Sequence, residues 1–333
     1  GSSTRSYINS LAAGVPTTPT TPTTPTTPVA TETKVSLASD SPTGSVIGGA
    51  GNMNVAKYAF AAKDAVTVTE IKLTKVGVVS DANINNLYLA DETGAVIAQY
   101  NSLSSGVATF SATKLFDVSA GATRTVALRM DLCTSASAGN TIAWTLTSAT
   151  AGTATFSGLP VTSNTLTVTS VSNPSLATAA FDHQSVGAST YAGTTGVTVS
   201  NATVTVNNSA VILKSVKYTV VGSVDMVNLK NVQLKLNGTQ IGSTVASVNS
   251  DGSVVFDLSA TEVKLPTGNS TLDATVDVMG SPNRTMTWHI LRPYDAYLID
   301  SQYSTGIAGS FTDTNSGEIT INQGQITVSF ASD

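Results

Sequence analysis

From Thr31 onward, hydrophobic and polar residues alternate in short runs that are separated by Gly, Asn, Asp and Ser. The run Val66–Leu73 follows a period of two residues, and Asn54–Phe60 and Thr123–Leu132 follow the same period. Alternation of this kind places successive side chains on opposite faces of a β-strand, one of them buried. Strands about ten residues apart with such turns are typical of a β-sandwich. The hydrophobic pattern therefore predicts an all-β chain.

The pattern also occurs twice, which indicates an internal repeat. We therefore predict two tandem β-sandwich domains, residues 31–171 and 172–333, each long enough to bury its own core. We interpret Trp144 and Trp288, which occupy equivalent strands, as core anchors rather than as platforms for sugars. The blocks that recur in one order, at offsets of 144–146 residues, are Ile71–Gly77 with Val216–Gly222, Asn86–Leu89 with Asn231–Leu234, Gly106–Phe110 with Gly252–Phe256, and Thr141–Trp144 with Thr285–Trp288.

Two segments precede the repeats. Residues 1–15 form a tail that is too short to fold alone, and residues 16–30 form a Thr-Pro linker. Within the linker, proline recurs at every third position from Pro16 to Pro28, which matches the three residues per turn of polyproline II. At a rise of ~3.1 Å per residue, this tract predicts a semi-rigid rod of roughly 40 Å.

Composition excludes two kinds of partner. Charged residues make up 11% of the 333 residues, and the net charge is −5 without a basic cluster, so we expect no nucleic-acid binding. No apolar run reaches the ~18 residues that a membrane helix needs, so we expect no membrane span. The single cysteine, Cys133, cannot form an intrachain disulfide, and we expect it to be buried.

Residues with catalytic or metal-binding chemistry are sparse. His183 and His289 lie at non-equivalent positions of the repeats without a nucleophile or metal-ligand pattern, so we expect structural or surface roles for both. Asp131 and Asp277 are equivalent, and we interpret them as turn caps. The segment Asp313–Glu318 matches a calcium loop only in part, which favours a turn. We therefore predict no catalytic residue, no cofactor and no metal site, and we do not expect an enzyme.

Threonines on an extended proline rod are exposed and well spaced, so we expect covalent glycans along the linker. Asn-X-Ser/Thr sequences give a second, weaker set of candidate sites. The candidate O-glycosylation sites are Thr17, Thr18, Thr20, Thr21, Thr23, Thr24, Thr26 and Thr27, and the candidate N-glycosylation sites are Asn201, Asn207, Asn237, Asn269 and Asn283.

A tail that a stiff rod holds away from a β-rich body suggests self-assembly. An extended segment can add a strand to an exposed sheet edge of a neighbouring subunit. Because such a contact joins two different surfaces, it propagates into a filament. Tyr7, Ile8 and Leu11 are the apolar residues that would anchor this donor strand. The expected partner is therefore another copy of the same chain.

The repeated unit resembles the immunoglobulin-like β-sandwich modules of bacterial cell-surface and appendage proteins. The residues that carry the resemblance across 31–333 are Val66–Gly77, Asn86–Leu89, Val107–Phe110, and Leu128–Asp131 with Trp144, together with their second copies. With the Thr-Pro tract, the chain is similar to glycosylated extracellular fibril subunits that are joined by strand complementation. The resemblance implies tandem immunoglobulin-like domains at the cell surface. The antibody-type pair of cysteines around a tryptophan is absent.

Three alternatives remain open at this point. The first is a surface adhesin or carbohydrate-binding stalk that binds through end loops such as Asn249–Ser253 or Ser301–Gly309. The second is a lattice protein of the S-layer kind. The third is an accessory region of a larger secreted enzyme.

Overall fold

The computed structural model describes residues 29–172 and 175–324. In these ranges the chain folds into β-strands and three 3₁₀ turns, without an α-helix. The predicted all-β class with tandem sandwiches is confirmed. The tail, the proline tract as far as Pro28 and the last nine residues lie outside the described ranges.

The first sandwich packs a five-stranded sheet, in the order β1-β3-β8-β5-β6, against a six-stranded sheet, in the order β2-β11-β9-β4-β7 with β10 beside β9. Trp144 and Phe60 are among the largest side chains that are fully buried between the two sheets. The strands are β1 (Lys34–Leu37), β2 (Gly44–Ile47), β3 (Met53–Ala61), β4 (Val66–Gly77), β5 (Ile84–Ala90), β6 (Val96–Asn101), β7 (Val107–Val118), β8 (Thr123–Leu132), β9 (Thr141–Thr150), β10 (Val161–Thr162) and β11 (Leu166–Thr169), with a 3₁₀ turn at Asp81–Asn83.

The second sandwich packs a six-stranded sheet, in the order β17-β16-β20-β14-β12-β24, against an eight-stranded sheet. The eight-stranded sheet has the order β13-β25-β21-β15-β22-β23, with β18 and β19 beside β15. Trp288 and Tyr218 are buried in its core, and burial raises the pKa of Tyr218 to about 12. The strands are β12 (Thr178–Gln184), β13 (Ser189–Tyr191), β14 (Thr194–Asn207), β15 (Val211–Gly222), β16 (Leu229–Leu236), β17 (Thr239–Ser247), β18 (Ser253–Asp257), β19 (Val263–Leu265), β20 (Gly268–Val278), β21 (Arg284–His289), β22 (Ala296–Asp300), β23 (Thr305–Ile307), β24 (Ser310–Phe311) and β25 (Ile319–Asn322), with 3₁₀ turns at Met226–Asn228 and Pro293–Asp295.

The two sandwiches are built on one plan. The strands β4 and β15 have the same length and lie 145 residues apart, and each is followed by a 3₁₀ turn at the same offset. In each sandwich the first strand is split between the two sheets, and its second half pairs in parallel with the last strand, as β2 with β11 and β13 with β25. The plan differs opposite β4 and β15. The continuous strand β9 pairs with β4, whereas β21 and β22 share β15 and are separated by the turn Pro293–Asp295.

The interpretation of Asp131 and Asp277 as turn caps is wrong, because both lie inside strands, in β8 and β20. Asp131 accepts hydrogen bonds from the Asn52 backbone N–H (2.6 Å) and from Asn86 Nδ2 (2.8 Å). Both neighbouring strands bulge next to these contacts. The carboxylate therefore satisfies one backbone donor and one side-chain donor beside the irregular part of the ladder.

The second copy repeats the device. Asp277 accepts hydrogen bonds from the Gly196 backbone N–H (2.8 Å) and from Asn231 Nδ2 (2.8 Å). In the first sandwich the Tyr88 hydroxyl also donates to Asp131, which gives that carboxylate one more donor than its counterpart has. Asp131 therefore carries more of the local structure than Asp277 does.

Replacing Asp131 with alanine should lower the free energy of unfolding by about 3 kcal/mol, because charge-assisted bonds are lost and partly buried donors are left without an acceptor. Asp277→Ala should cost about 1 kcal/mol, since its two bonds are more exposed. Urea unfolding followed by tryptophan fluorescence measures both values. Asp64→Ala, at an exposed position, is the control. An equal loss at positions 131 and 277 would contradict the assignment.

Candidate functional site: the interface between the sandwiches

The second sandwich covers the centre of the outer face of the five-stranded sheet of the first. Every residue of β8 from Val126 to Met130 is buried, so this strand is covered on both faces. Leu128 and Met130 belong to the core of the first sandwich, whereas Ala127 packs in a separate cluster with Tyr294 of the second. The interface is therefore built on a strand that the domain plan would otherwise leave exposed on one face.

Arg129 lies at the centre of this interface and is 3% exposed. Its guanidinium stacks over the ring of Tyr297, with 3.4 Å between the guanidinium carbon and the ring centroid. Nε donates to Asn54 Oδ1 (3.0 Å), and Nη1 donates to the carbonyl of Gly94 (3.0 Å). Burial lowers the pKa of Arg129 from its ordinary value. A desolvated cation on an aromatic face contributes about 2 kcal/mol, so this contact fixes the relative position of the sandwiches.

A second aromatic contact comes from the 3₁₀ turn Pro293–Asp295, which interrupts the strand of the second sandwich. The turn carries Tyr294 to Tyr88, with ring centroids 5.0 Å apart. Burial raises the pKa of the Asp295 carboxyl, which accepts a hydrogen bond from the Arg292 backbone N–H. The departure from the repeat plan therefore serves the contact between the domains.

Backbone also meets backbone across the interface. The Gly51 N–H donates to the carbonyl of Gly306 (3.2 Å). A Cβ atom on Gly306 would lie 2.6 Å from the Asn52 carbonyl oxygen and 2.7 Å from Met53 Cα, so only glycine fits. Part of the candidate end loop Ser301–Gly309 is therefore occupied by the contact with the first sandwich, while Gln302, Ser304 and Ala308 stay exposed.

The junction between the sandwiches is tied to the second one. The Ala177 backbone N–H donates to Asp300 Oδ2 (2.7 Å), and the Ser209 hydroxyl donates to Asp300 Oδ1 (3.0 Å). Asp300 is fully buried. The last buried core residue of the first sandwich is Val168, and the first of the second sandwich is Ala177. The boundary between residues 171 and 172 stays a prediction.

The histidines hold one loop in place. The Nδ1 atom of His183 lies 2.7 Å from the carbonyl oxygen of Asp313, and Nδ1 of His289 lies 3.4 Å from Thr314 Oγ1. Burial lowers the pKa of both histidines. Neither contact has the geometry of a nucleophile with its base.

The segment Asp313–Glu318 forms a connection in which Asn315 Oδ1 accepts a hydrogen bond from the Gly317 N–H (2.9 Å). Within residues 29–172 and 175–324, no group of three His, Cys, Asp or Glu side chains gathers in a way that would hold a metal ion. Cys133 is only half-buried and its Sγ lies 3.1 Å from Asn85 Oδ1, so the expectation of a buried thiol is wrong.

The described residues include all five N-glycosylation candidates. Asn201 is half-buried, and its Nδ2 donates to Asp273 Oδ1 (2.6 Å), so a glycan there would displace this bond. The other four side chains are exposed: Asn207, Asn237, Asn269 and Asn283. The donor-strand residues Tyr7, Ile8 and Leu11 and the threonines Thr17–Thr27 lie outside the described residues.

Sequence reasoning missed the interface. The available signal was a difference between the repeats at the outward-facing positions of one strand. Ala127 and Arg129 stand in β8 where β20 has Asp273 and Thr275. An alanine at position 127, where the other repeat has the aspartate Asp273, indicates that this outward-facing position is buried in the first sandwich.

No protein-family profile matches the chain, and no curated protein matches it. Among solved structures, the chain is similar to the calcium-binding domain CBD12 of CALX1.1, at 8% identity over 86% of this chain and 100% of that chain, with a TM-score of 0.24. It is also similar to the C-terminal domain of the Streptococcus pyogenes antigen I/II-family protein AspA (9% identity, 89% and 100% covered, TM-score 0.22). A third similar structure is a partial N-terminal region of enterococcal surface protein (10% identity, 88% and 96% covered, TM-score 0.22).

These similarities assign the chain to no family. None of the helical turns in the described ranges has the length and apolar character of a membrane-crossing helix.

Replacing Gly306 with alanine should separate the sandwiches, because the new Cβ would overlap backbone atoms of Gly51, Asn52 and Met53. Backbone atoms can only move together with the rest of their strand. We expect a loss of about 2 kcal/mol in the free energy of unfolding and a larger radius of gyration by small-angle X-ray scattering. Gly187→Ala is the matched control, since its Cβ would meet nothing closer than 4.0 Å. An unchanged radius of gyration for Gly306→Ala would show that the interface does not depend on this contact.

Acidification should destabilise the protein through His183. Its pKa is lowered in the folded state, so below the ordinary value of about 6.5 the unfolded chain binds the additional proton. Stability is then lost as the pH falls from 6.5 towards the folded-state pKa, by up to about 1.4 kcal/mol per pH unit for one proton. The measurement is urea unfolding at several pH values between 7 and 5.

The variant His183→Asn keeps a donor for the Asp313 carbonyl and should flatten this slope. His289→Asn should flatten it less, because His289 is less buried. Equal slopes for the original chain and His183→Asn would refute the assignment.

Proposed function

We propose that the chain is a non-enzymatic structural subunit of an extracellular filament. In this proposal, subunits polymerise head to tail by insertion of residues 1–15 into a sheet edge of the next subunit. Low charge, abundant Ser and Thr, and the proline tract support a surface location. Glycans on the linker threonines would protect the rod from proteases.

The observation that carries the proposal is an open sheet edge at β17. This strand of nine residues is hydrogen-bonded to β16 on one side and ends its sheet. It contains no charged residue and no proline, and most of its residues are exposed. Natural edge strands are usually protected by charges, prolines, bulges or covering segments. Of these devices, β17 has only a bulge, opposite Val232 and Leu234.

Two other edges of the described sheets, at β7 and β6, are better protected. The strand β7 has a long irregularity between Ser111 and Phe116, and Lys114 lies within it. The strand β6 is the counterpart of β17, but it lies beside Leu291 and Tyr294 of the second sandwich. Of these three edges, that of β17 best suits an added strand.

The start of the described chain supports delivery of the tail to another subunit. The Ala30 backbone N–H donates to the carbonyl of Gly121 (2.8 Å), which attaches the chain to a turn of the first sandwich. The rod of roughly 40 Å that the proline pattern predicts would be long enough to reach beyond its own sandwich. In the added strand, Tyr7 and Leu11 would share one face, and Ile8 would lie on the other.

Deleting residues 1–15 should abolish assembly, because the donor strand is removed while both cores stay intact. The double variant Ser243→Lys and Ala246→Lys should do the same from the acceptor side, since both positions on β17 are exposed and two charges disfavour strand addition. Negative-stain electron microscopy and light scattering after gel filtration measure the assembly state.

Thr113→Lys, at an exposed position of β7, is the matched control and should leave assembly unchanged. Filaments that persist after the deletion would disprove tail insertion. Filaments that persist only in the β17 variant would place the acceptor on another edge.

A surface adhesin is the second candidate function. The observation that favours it is a cleft at the interface, in whose wall Arg129 and Tyr297 lie. The exposed loop Asn249–Ser253, in contrast, is held by its own turn contacts, in which Asp251 accepts hydrogen bonds from Ser253.

A further inference from the structure

A cleft of about 310 Å³ opens between the two sandwiches. Arg129 and Tyr297 lie in its wall, together with the β5–β6 turn of the first sandwich and Lys214 and Ser259 of the second. Its volume lies at the lower end of the range of pockets that hold small ligands, roughly 300–1,000 Å³. The cleft therefore has room for one sugar ring.

The positive charge of Arg129 has no carboxylate partner among the described residues. Its two hydrogen bonds go to neutral acceptors, the Asn54 side chain and the Gly94 carbonyl. No described residue accepts a hydrogen bond from Nη2. Buried charges are normally paired, because removing an isolated charge from water is costly. A buried cation that neutral groups hold rigidly is suited to receive an external anion.

The carboxylates that line the cleft are already engaged. Glu92 Oε2 lies 3.3 Å from Arg124 Nε. Asp91 Oδ1 accepts hydrogen bonds from the N–H (3.0 Å) and the hydroxyl (2.6 Å) of Thr93, and Asp91 Oδ2 lies 3.9 Å from Arg124 Nη2. Both anions therefore make their direct contacts with the β5–β6 turn and Arg124. Asp91 also attracts Arg129 electrostatically, but it forms neither a hydrogen bond nor an ion pair with it.

Of the two lysines that line the cleft, Lys57 is paired with Asp40 at 2.5 Å. Lys214 is half-buried and forms no ion pair within the described residues. The charges in the cleft that lack a partner are thus two cations, Arg129 and Lys214.

The repeat shows that the fold does not require these residues. Arg129 of the first sandwich is equivalent to Thr275 of the second, and Lys214 of the second sandwich is equivalent to Thr69 of the first. Tyr297 pairs with Ser215 as Thr150 pairs with Glu70, so its counterpart is also a threonine. All three residues, Arg129, Lys214 and Tyr297, are thus replaced by threonine in the other copy of the fold. They lie together only in the wall of this cleft.

We infer that the cleft binds an acidic saccharide, whose carboxylate contacts Arg129 and Lys214. The hydroxyls of Thr125 and Ser259, which also line the cleft, face the ring hydroxyls, while Ala127 and Ile299 supply apolar contact. Uncharged hydroxyls together with two cations match a sugar acid better than a simple anion. The inference does not depend on filament assembly, because all of these residues belong to one chain.

Isothermal titration calorimetry of the full chain at low salt tests this inference. The probes are glucuronic acid, galacturonic acid and N-acetylneuraminic acid, with glucose, galactose and acetate as comparators. At least one sugar acid should bind at least about tenfold more tightly than the neutral sugars, because a buried charged site discriminates strongly against an uncharged analogue. It should also bind about tenfold more tightly than acetate, which has the carboxylate but lacks the ring and its hydroxyls. Lys214→Gln should weaken this binding several-fold, and Arg129→Gln should abolish it.

Lys230→Gln is the matched control, since Lys230 is also half-buried and unpaired within the described residues but lies away from the cleft. If Arg129→Gln does not fold, the comparison of Lys214→Gln with Lys230→Gln decides. Absence of binding, equal binding of neutral sugars or acetate, or an affinity that Lys214→Gln leaves unchanged would each overturn the inference. Loss of filaments in the tail deletion would leave this result unaffected, so the two proposals fail separately.

Discussion

The close approach of Gly306 to the Gly51–Asn52 backbone is the contact on which the arrangement of the two sandwiches depends. Because Gly306 has no side chain, β23 can lie directly on the start of β3. That proximity brings Tyr297 over Arg129 and Tyr294 against Tyr88. The interface then covers β8 on its second face, and the cleft lies beside the covered arginine. The candidate binding chemistry of the molecule thus follows from one backbone contact.

Much of the fold was predictable from the sequence, for a physical reason. A sandwich strand has one buried face, so its residues alternate, and β8 was predicted to its exact bounds. The repeat offset of 145 residues correctly related β4 to β15. Trp144 and Trp288 are core residues because the equivalent strands place them between the sheets.

The interface was not predictable by the same reasoning. The alternation of apolar and polar residues along a strand shows which face is buried in the domain's own core. An arginine on the opposite face, such as Arg129, is therefore predicted to be exposed to solvent. The burial of Arg129 depends on residues about 170 positions away in the chain, and no local pattern encodes that contact. The error on Asp131 has a related cause. Its partners become visible only when two neighbouring strands bulge beside it.

The parallel pairing of the split first strand with the last strand has a mechanical consequence. In the first sandwich, β2 and β11 run side by side through four residue pairs, and β13 and β25 do so through three. Because the two strands of each pair are parallel, the chain enters the first of them at one end of the ladder and leaves the second at the other end. Tension applied along the molecule therefore slides these strands past one another instead of peeling them apart. Under shear, all pairs of a ladder carry the load at once, so each sandwich resists stretching more than its few terminal hydrogen bonds would suggest.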